Sequence, residues 1–293
     1  MRGRIIKAVA GFYYTYAEDG QVYACKAKGI FRKEGIKPLV GDEVLMKVTD
    51  EKDMEGNVES ILPRRNCLTR PAVANVDQVF VVFAAADPDP SLLLLDRFLV
   101  RMHSYGLPVV ICFTKADLDP AKAEDLCRIY RDSRCRLIVS SSRTGQGMKE
   151  IRSCLAGKTS VTAGPSGVGK STIANALQEE IRMETGEVSR KLGRGRHTTR
   201  HVQLVPVGPD TFLVDTPGFT SLYLPQMEED ELKKCIPEFY PYEGKCRFPG
   251  CRHVNEPSCA VRDAVVNGKI EKERYEGYLT LMEELKEILS HRW

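Results

Sequence analysis

The sequence predicts an α/β fold: a mostly parallel sheet with helices on both faces, preceded by a small β-barrel and followed by a helical segment around a metal knuckle. Three observations predict it. Continuous apolar runs at 77–86, 108–113, 136–139, 160–163 and 211–214 alternate with helical patterns, the rhythm of buried parallel strands joined by crossover helices. Short strand-like runs separated by turn residues fill 1–65. Three cysteines and a histidine crowd into 246–259.

The barrel comes first. Arg4–Ala10, Val22–Ala27 and Glu43–Val48 read as strands, punctuated by Glu18-Asp19-Gly20 and Val40-Gly41-Asp42. Nothing in 1–65 has helical period and length. Five short strands there suit an OB-type barrel, and an SH3-like barrel nearly as well. The α/β domain spans 66–225, with helical patterns at Ser91–Tyr105, Pro120–Tyr130, Met148–Leu155 and Ser171–Ile181 between its strands. Residues 226–293 form the third domain: a polar helix at Glu228–Lys234, the Pro-, Gly- and Cys-rich stretch 237–259, and a charged helix at Ile270–Leu289.

The 293 residues suit two or three domains, with 42% apolar and 28% charged residues in an ordinary globular balance. A net charge of +3 does not by itself mark a nucleic-acid binder. Met1–Gly20 lacks an export signal, since Lys7 interrupts its apolar run and aromatics follow. Met102–Thr114, the longest uncharged run, contains Pro108 and falls short of the ~18 residues a membrane helix needs. The expectation is a cytoplasmic protein with no membrane partner, whose ten cysteines are thiols or metal ligands.

Gly164-Pro165-Ser166-Gly167-Val168-Gly169-Lys170-Ser171 matches the phosphate-loop pattern, with a strand before it and a helix after it. Its glycines let backbone N–H groups close on phosphate oxygens, and the helix N-terminus adds its positive end. Lys170 is expected to reach the β- and γ-phosphates. Ser171 is expected to ligate Mg²⁺, with Thr172 beside it in the nucleotide site. Asp215-Thr216-Pro217-Gly218 ends another buried strand. There Asp215 is placed to hold Mg²⁺, and the Gly218 N–H to sense the γ-phosphate. Thr114-Lys115-Ala116-Asp117 also ends a strand. The Asp117 carboxylate suits the ring N–H and exocyclic amine of guanine. Adenine would leave it unpaired, a mismatch of the kind that rejects analogues by ~10⁴-fold. Lys115 is expected to lie over the base, and the backbone at Ser141-Ser142 to meet the guanine oxygen. A capping turn would explain Asp117 as well. The base-reading motifs precede the phosphate loop, and Asp215–Gly218 comes last. This order reads as a circularly permuted P-loop GTPase domain using GTP with Mg²⁺.

Cys246, Cys251, His253 and Cys259 form a Cys₃His set with zinc-like spacing. With four positions filled, one zinc would be structural. The basic residues around it, Lys245, Arg247, Arg252 and Arg262, suit RNA backbone or plain solvent equally.

Permutation, N-terminal barrel and Cys/His-rich tail together resemble the ribosome small-subunit-dependent GTPase A family over nearly the whole chain. The resemblance is carried by Arg70–Asp77, Gly164–Ser171, Gly193–Thr199, Asp215–Phe219 and Cys246–Cys259. It implies GTP hydrolysis in late maturation of the small ribosomal subunit. The implied partners are that subunit, its rRNA, and GTP or GDP, with the chain a monomer. Two positions depart from the family: Thr114 stands where Asn is usual, and Ser141-Ser142 where Ser-Ala is usual. A hydroxyl at 114 is expected to brace neighbouring loops less well than an amide. Phe219 replaces the water-orienting Gln of many GTPases, so hydrolysis by the chain alone is expected to be slow. Within the basic segment Arg190–His201, Thr199 resembles the switch threonine that closes on Mg²⁺, with Thr198 as the second choice. The family likeness makes His197 the candidate for positioning water. Two other readings remain: a nucleotide-gated RNA-binding assembly factor with negligible turnover, and an ATP-using P-loop enzyme, against which Asp117 argues.

Overall fold

In the computed structural model, alternating inward side chains build the first five strands. In Glu43–Asp50, for example, Val44 and Met46 are buried while Leu45 and Lys47 face out. The strands are Arg2–Val9 (β1), Phe12–Ala17 (β2), Val22–Ala27 (β3), Glu43–Asp50 (β4) and Glu55–Ile61 (β5). Their order is β1-β2-β3-β5-β4, and β1 pairs again with β4 to close the barrel. β3 runs parallel to β5. This is the OB-like arrangement rather than the SH3-like one. Ile5, Cys25, Val44 and Val58 fill its core.

The structure describes all residues except 30, 32–34, 70, 186–201, 216–223, 226 and 291–293, and for 180–185 and 215 the backbone alone. The expectations for His197, Thr199 and Gly218 therefore lie outside the described residues, as does the Asp215 side chain.

The chain folds as two compact units. The first comprises Met1–Val79, Lys149–Thr162 and Ser171–Phe219. Besides the barrel it holds a short hairpin, Cys67–Thr69 (β6) with Ala72–Ala74 (β7), and most of the strand Thr159–Ala163 (β11). The strands Gln203–Gly208 (β12) and Thr211–Asp215 (β13) complete it. β11 is parallel to β13, with Thr159 opposite Phe212 and Val161 opposite Val214. β12 is antiparallel to β13 and meets β1 at Lys7 and Gln203.

β12 was not expected from the sequence, because Pro206 interrupts its pattern and a strand interior rarely accepts proline. The strand tolerates it by an irregularity between Pro206 and Gly208, and the Pro206 carbonyl accepts from Gln178 Nε2 at 3.2 Å.

The second unit comprises Phe80–Met148, Ala163–Lys170 and Thr220–Trp293. The wholly buried strand Gln78–Ala84 (β8) enters it, followed by Val109–Thr114 (β9) and Arg136–Val139 (β10), in the order β10-β9-β8 with β9 and β10 parallel. Helix Leu92–Ser104 starts where Ser91 Oγ accepts from the Leu94 N–H. Helix Pro120–Tyr130 starts where Asp119 accepts from the Lys122 N–H, with proline at its first turn. The C-terminal helices Glu229–Lys234, Ala260–Val266 and Lys272–Ser290 pack with the 3₁₀ turn Pro237–Tyr242 around Phe239, Tyr278, Leu281 and Leu285. Among the described residues no helix is long and apolar enough to cross a membrane.

Candidate functional site: a nucleotide pocket and a metal knuckle

β11 delivers the chain into the loop 164–170. Gly164 has φ 133°, and a Cβ there would lie 2.0 Å from the Val82 carbonyl oxygen, so only glycine fits. Gly167 (φ 78°) and Gly169 (φ 95°) also take backbone angles that favour glycine. Val168 is buried and anchors the loop, while Pro165 is half-buried and Ser166 exposed. Lys170 opens the helix Lys170–Thr185, and its Nζ lies in the loop's mouth, donating to Gly164 O at 2.8 Å and to Pro165 O. Ser171 and Thr172 follow, exposed, in the helix's first turn. Backbone N–H groups, a lysine and a helix N-terminus thus converge on one cradle that fits a polyphosphate.

The second motif is tied to this cradle. Thr114 Oγ1 donates to Val168 O at 2.6 Å, with Phe83 O also near at 3.3 Å. The hydroxyl at 114 does reach a neighbouring loop: β9 brings Thr114 close enough to the phosphate loop for a short side chain to span the gap. Lys115 has φ 54°, and its Nζ donates to Asp87 O. Ser141 Oγ, fully buried, donates to Asp117 Oδ1 at 2.5 Å, and Arg143 Nε lies 3.3 Å from Asp117 Oδ2. The Ser141 bond chiefly holds the Asp117 carboxyl below its ordinary range, with Arg143 adding to it. Ser142 is exposed beside Ser141. Thr114, Lys115, Asp117 and Ser141 are therefore brought together with the phosphate loop in one unit. Two further side chains touch this group that the sequence pattern does not single out. Asp87 lies distant in sequence, and Arg143 looks like any surface arginine. Asp215 ends β13, and the parallel pairing with β11 brings this end level with Thr162, whose Oγ1 donates to Val214 O at 2.8 Å.

The Cys246, Cys251, His253 and Cys259 ligand atoms all lie within 4.8 Å of one another. Cys246 Sγ is 3.9 Å from Cys259 Sγ and 3.6 Å from His253 Nδ1, which lies 3.3 Å from Cys259 Sγ. A tetrahedral ion with metal–sulfur bonds of about 2.3 Å separates its ligands by roughly 3.8 Å, so the set fits one metal ion. Burial pushes the Cys251 thiol up to about 12 and holds His253 below its usual range. A bound cation is what stabilises thiolates in such a place. The knuckle is held from within and from outside. Glu256 accepts from the backbone N–H groups of Arg252, Val254 and Asn255, and Tyr275 OH donates to His253 O at 2.8 Å.

A phosphate loop, a guanine-type motif ahead of it and an aspartate-ended strand after it define a circularly permuted P-loop GTPase. The family models agree: RsgA GTPase matches residues 61–225, and the RsgA N-terminal domain matches 2–56. The chain belongs to the RsgA GTPase family. It is 51% identical to the small ribosomal subunit biogenesis GTPase RsgA of Agathobacter rectalis, covering 98% of each chain. Its identity to the protein of that name from Caldanaerobacter subterraneus subsp. tengcongensis is 45%, over 100% of this chain and 98% of the other. Among solved structures, YjeQ from Thermotoga maritima superposes with a TM-score of 0.80 at 36% identity, over 97% of this chain and 98% of that one. YloQ, a circularly permuted GTPase, superposes with a TM-score of 0.77 at 37% identity, over 98% and 95%.

Proposed function

We infer that this chain hydrolyses GTP to GDP and phosphate in the late maturation of the small ribosomal subunit, binding that subunit and its rRNA. One observation carries the nucleotide reading. The base-reading carboxylate, held by Ser141, and the phosphate loop, held by Thr114, are joined within a single compact unit.

Asp117 accepts from the ring N–H and amine of guanine. Lys115 lies over the base, and the Ser141-Ser142 backbone meets its oxygen. The N–H groups of Gly164–Gly169 surround the phosphates, Lys170 takes the β- and γ-oxygens, and Thr172 stands beside them. Ser171, Thr199 and Asp215 are the residues for Mg²⁺, which when bound neutralises charge developing on the phosphates. The Gly218 N–H senses the γ-phosphate, and His197 positions the attacking water. Cys246, Cys251, His253 and Cys259 hold one zinc. With no open coordination position, its work is to fold the knuckle. The protein acts as a monomer in the cytoplasm.

The test is twofold. GTP and GDP should displace a labelled guanine nucleotide far better than ATP, and turnover should be measured with purified small subunits, large subunits and neither. Equal competition by ATP would overturn the base assignment. Turnover indifferent to small subunits would overturn the partner.

A further inference from the structure

We propose that Arg4, in the first strand of the barrel, is a positioning residue for GTP hydrolysis: it fastens the barrel to the strand pair that leads to the phosphate loop and to Asp215. The proposal rests on the GTPase reading above and adds a part of the chain that the reading does not use.

The case is geometric and lies within the first unit. Arg4 Nη1 donates to Thr159 Oγ1 at 2.8 Å, and Nη2 to Glu43 Oε1 at 2.8 Å. The guanidinium carbon stands 5.0 Å from the centre of the Phe212 ring. These partners are not scattered. Thr159 and Phe212 face each other across β11 and β13. Glu43 faces Arg4 itself across β1 and β4. Tyr16 faces Arg4 across β1 and β2, and sets its ring edge-on to Phe212 at 5.8 Å. The Arg4 side chain thus joins two barrel strands, β1 and β4, to both members of a registered pair, and Tyr16 of β2 packs on the same Phe212 ring. β11 runs from Thr159 into the loop at Gly164, and β13 runs from Phe212 to Asp215.

The chemistry suits a fastening. A guanidinium offers a flat fork and a stackable face at once, which an ammonium cannot. The Arg4 side chain is 20% exposed and Phe212 2% exposed, so the stack is largely shielded from water. Arg4, Tyr16, Glu43 and Phe212 together line one side of an open groove of about 330 Å³, so Arg4 sits at a surface rather than in the barrel core. A fixed start to β13 fixes where the strand ends, because a paired strand moves along its axis only by breaking its ladder. Misplacing a reacting group by about 1 Å costs on the order of 100-fold in rate. A modest loosening here should therefore appear in turnover before it appears in binding.

The experiment uses the full-length chain. Arg4→Ala, Arg4→Lys and Thr159→Val are compared with the parent for kcat and KM in GTP hydrolysis, for affinity toward a fluorescent GDP, and for thermal midpoint. The expected result for Arg4→Ala is a kcat lowered about tenfold, with KM and GDP affinity within about twofold of the parent, since base and phosphate contacts belong largely to the other unit. Arg4→Lys keeps a cation over Phe212 but loses the fork, and should fall between. A folded Arg4→Ala with parental kcat overturns the proposal. So does an Arg4→Ala whose kcat, GDP affinity and thermal midpoint fall together, which marks a merely structural residue. If Arg4→Ala does not fold, Thr159→Val decides, because it removes one acceptor and leaves the stack. An unchanged kcat there overturns the proposal too. A parent chain without GTPase activity would instead refute the functional reading on which the proposal stands.

Discussion

Thr114 Oγ1 has one proton to give, and the Val168 carbonyl at 2.6 Å takes it. The same side chain lies against Gly169, where a Cβ would come within 3.8 Å of Thr114 Oγ1 and 3.9 Å of its Cβ. The residue is thus a spacer and a tie together. Thr114→Val keeps the shape and removes the tie, leaving a buried carbonyl without that donor, a loss of about 1–3 kcal/mol. GDP affinity should drop about tenfold, the equivalent of 1.4 kcal/mol, and Thr114→Ser should restore most of it. Titration with a fluorescent GDP checks both. Asp117 yields a second prediction. Its carboxyl is held below the usual range, first by the Ser141 hydrogen bond, so the ionised form proposed to read guanine survives as pH falls through that range. Guanine affinity should stay flat down to ordinary carboxylate pH and fail only below it. In Ser141→Ala the failure should move to higher pH. Isothermal titration at stepped pH would expose the opposite order.

At the scale of elements, the sequence made the barrel, the buried strands and both nucleotide motifs legible, because each is written in local period or in a spaced pattern. Less legible was what depends on distant partners. Pro206 hid β12, since only the sheet and Gln178 make a proline tolerable there. Arg4 looks like any charge at a strand start, and nothing near Thr114 in sequence announces Val168. The helix Lys272–Ser290 hides another long-range fact. Buried Arg274 donates to Glu238 Oε1 at 2.7 Å and to Asp96 Oδ1, which also accepts from Tyr130 OH at 2.9 Å. Asp96 Oδ2, without a hydrogen-bond partner among the described residues, lies against Gly277, where a Cβ would come within 2.0 Å. Gly→Ala inside a helix ordinarily stabilises by about 0.5–1 kcal/mol. Here Gly277→Ala should reverse that sign and destabilise by about 1–3 kcal/mol through overpacking, a direction readable from a denaturant midpoint. The same helix senses the knuckle through Tyr275, which bonds His253 O, and through Tyr278, which bonds Arg252 O. One zinc per chain should co-purify. Cys251→Ser should release it and speed amide exchange in 246–259 and in Lys272–Ser290. Metal-free protein with unchanged exchange would contradict the structural role.

On the scale of the whole molecule, the two units divide the labour unexpectedly. From sequence alone, Asp215–Gly218 leads toward the C-terminal domain. Yet the strand ending in Asp215 folds with the barrel in the first unit, while the metal knuckle folds with the base-reading motif in the second. The basic segment 190–201 joins the helix Lys170–Thr185 to β12 in the chain, and β12 pairs with β1 of the barrel. A partner that grips the barrel therefore acts on the element from which this segment hangs. Phe219 offers no amide for orienting water, so turnover needs a group from elsewhere, and His197 lies in that segment. The expected behaviour is slow GTP hydrolysis by the chain alone and strong stimulation by small ribosomal subunits. Stimulation of this kind needs a differential binding energy of only a few kcal/mol between two arrangements. His197→Ala should then lose about 10²–10⁴-fold of the stimulated rate, the range of a positioned acid or base. GTP affinity should be spared, because the contact proposed for His197 is to water rather than to nucleotide. Single-turnover assays with saturating small subunits separate the cases. If His197→Ala is stimulated as fully as the parent, another residue positions the water while the subunit switch stands. If stimulation is absent in both, the coupling through the barrel is wrong.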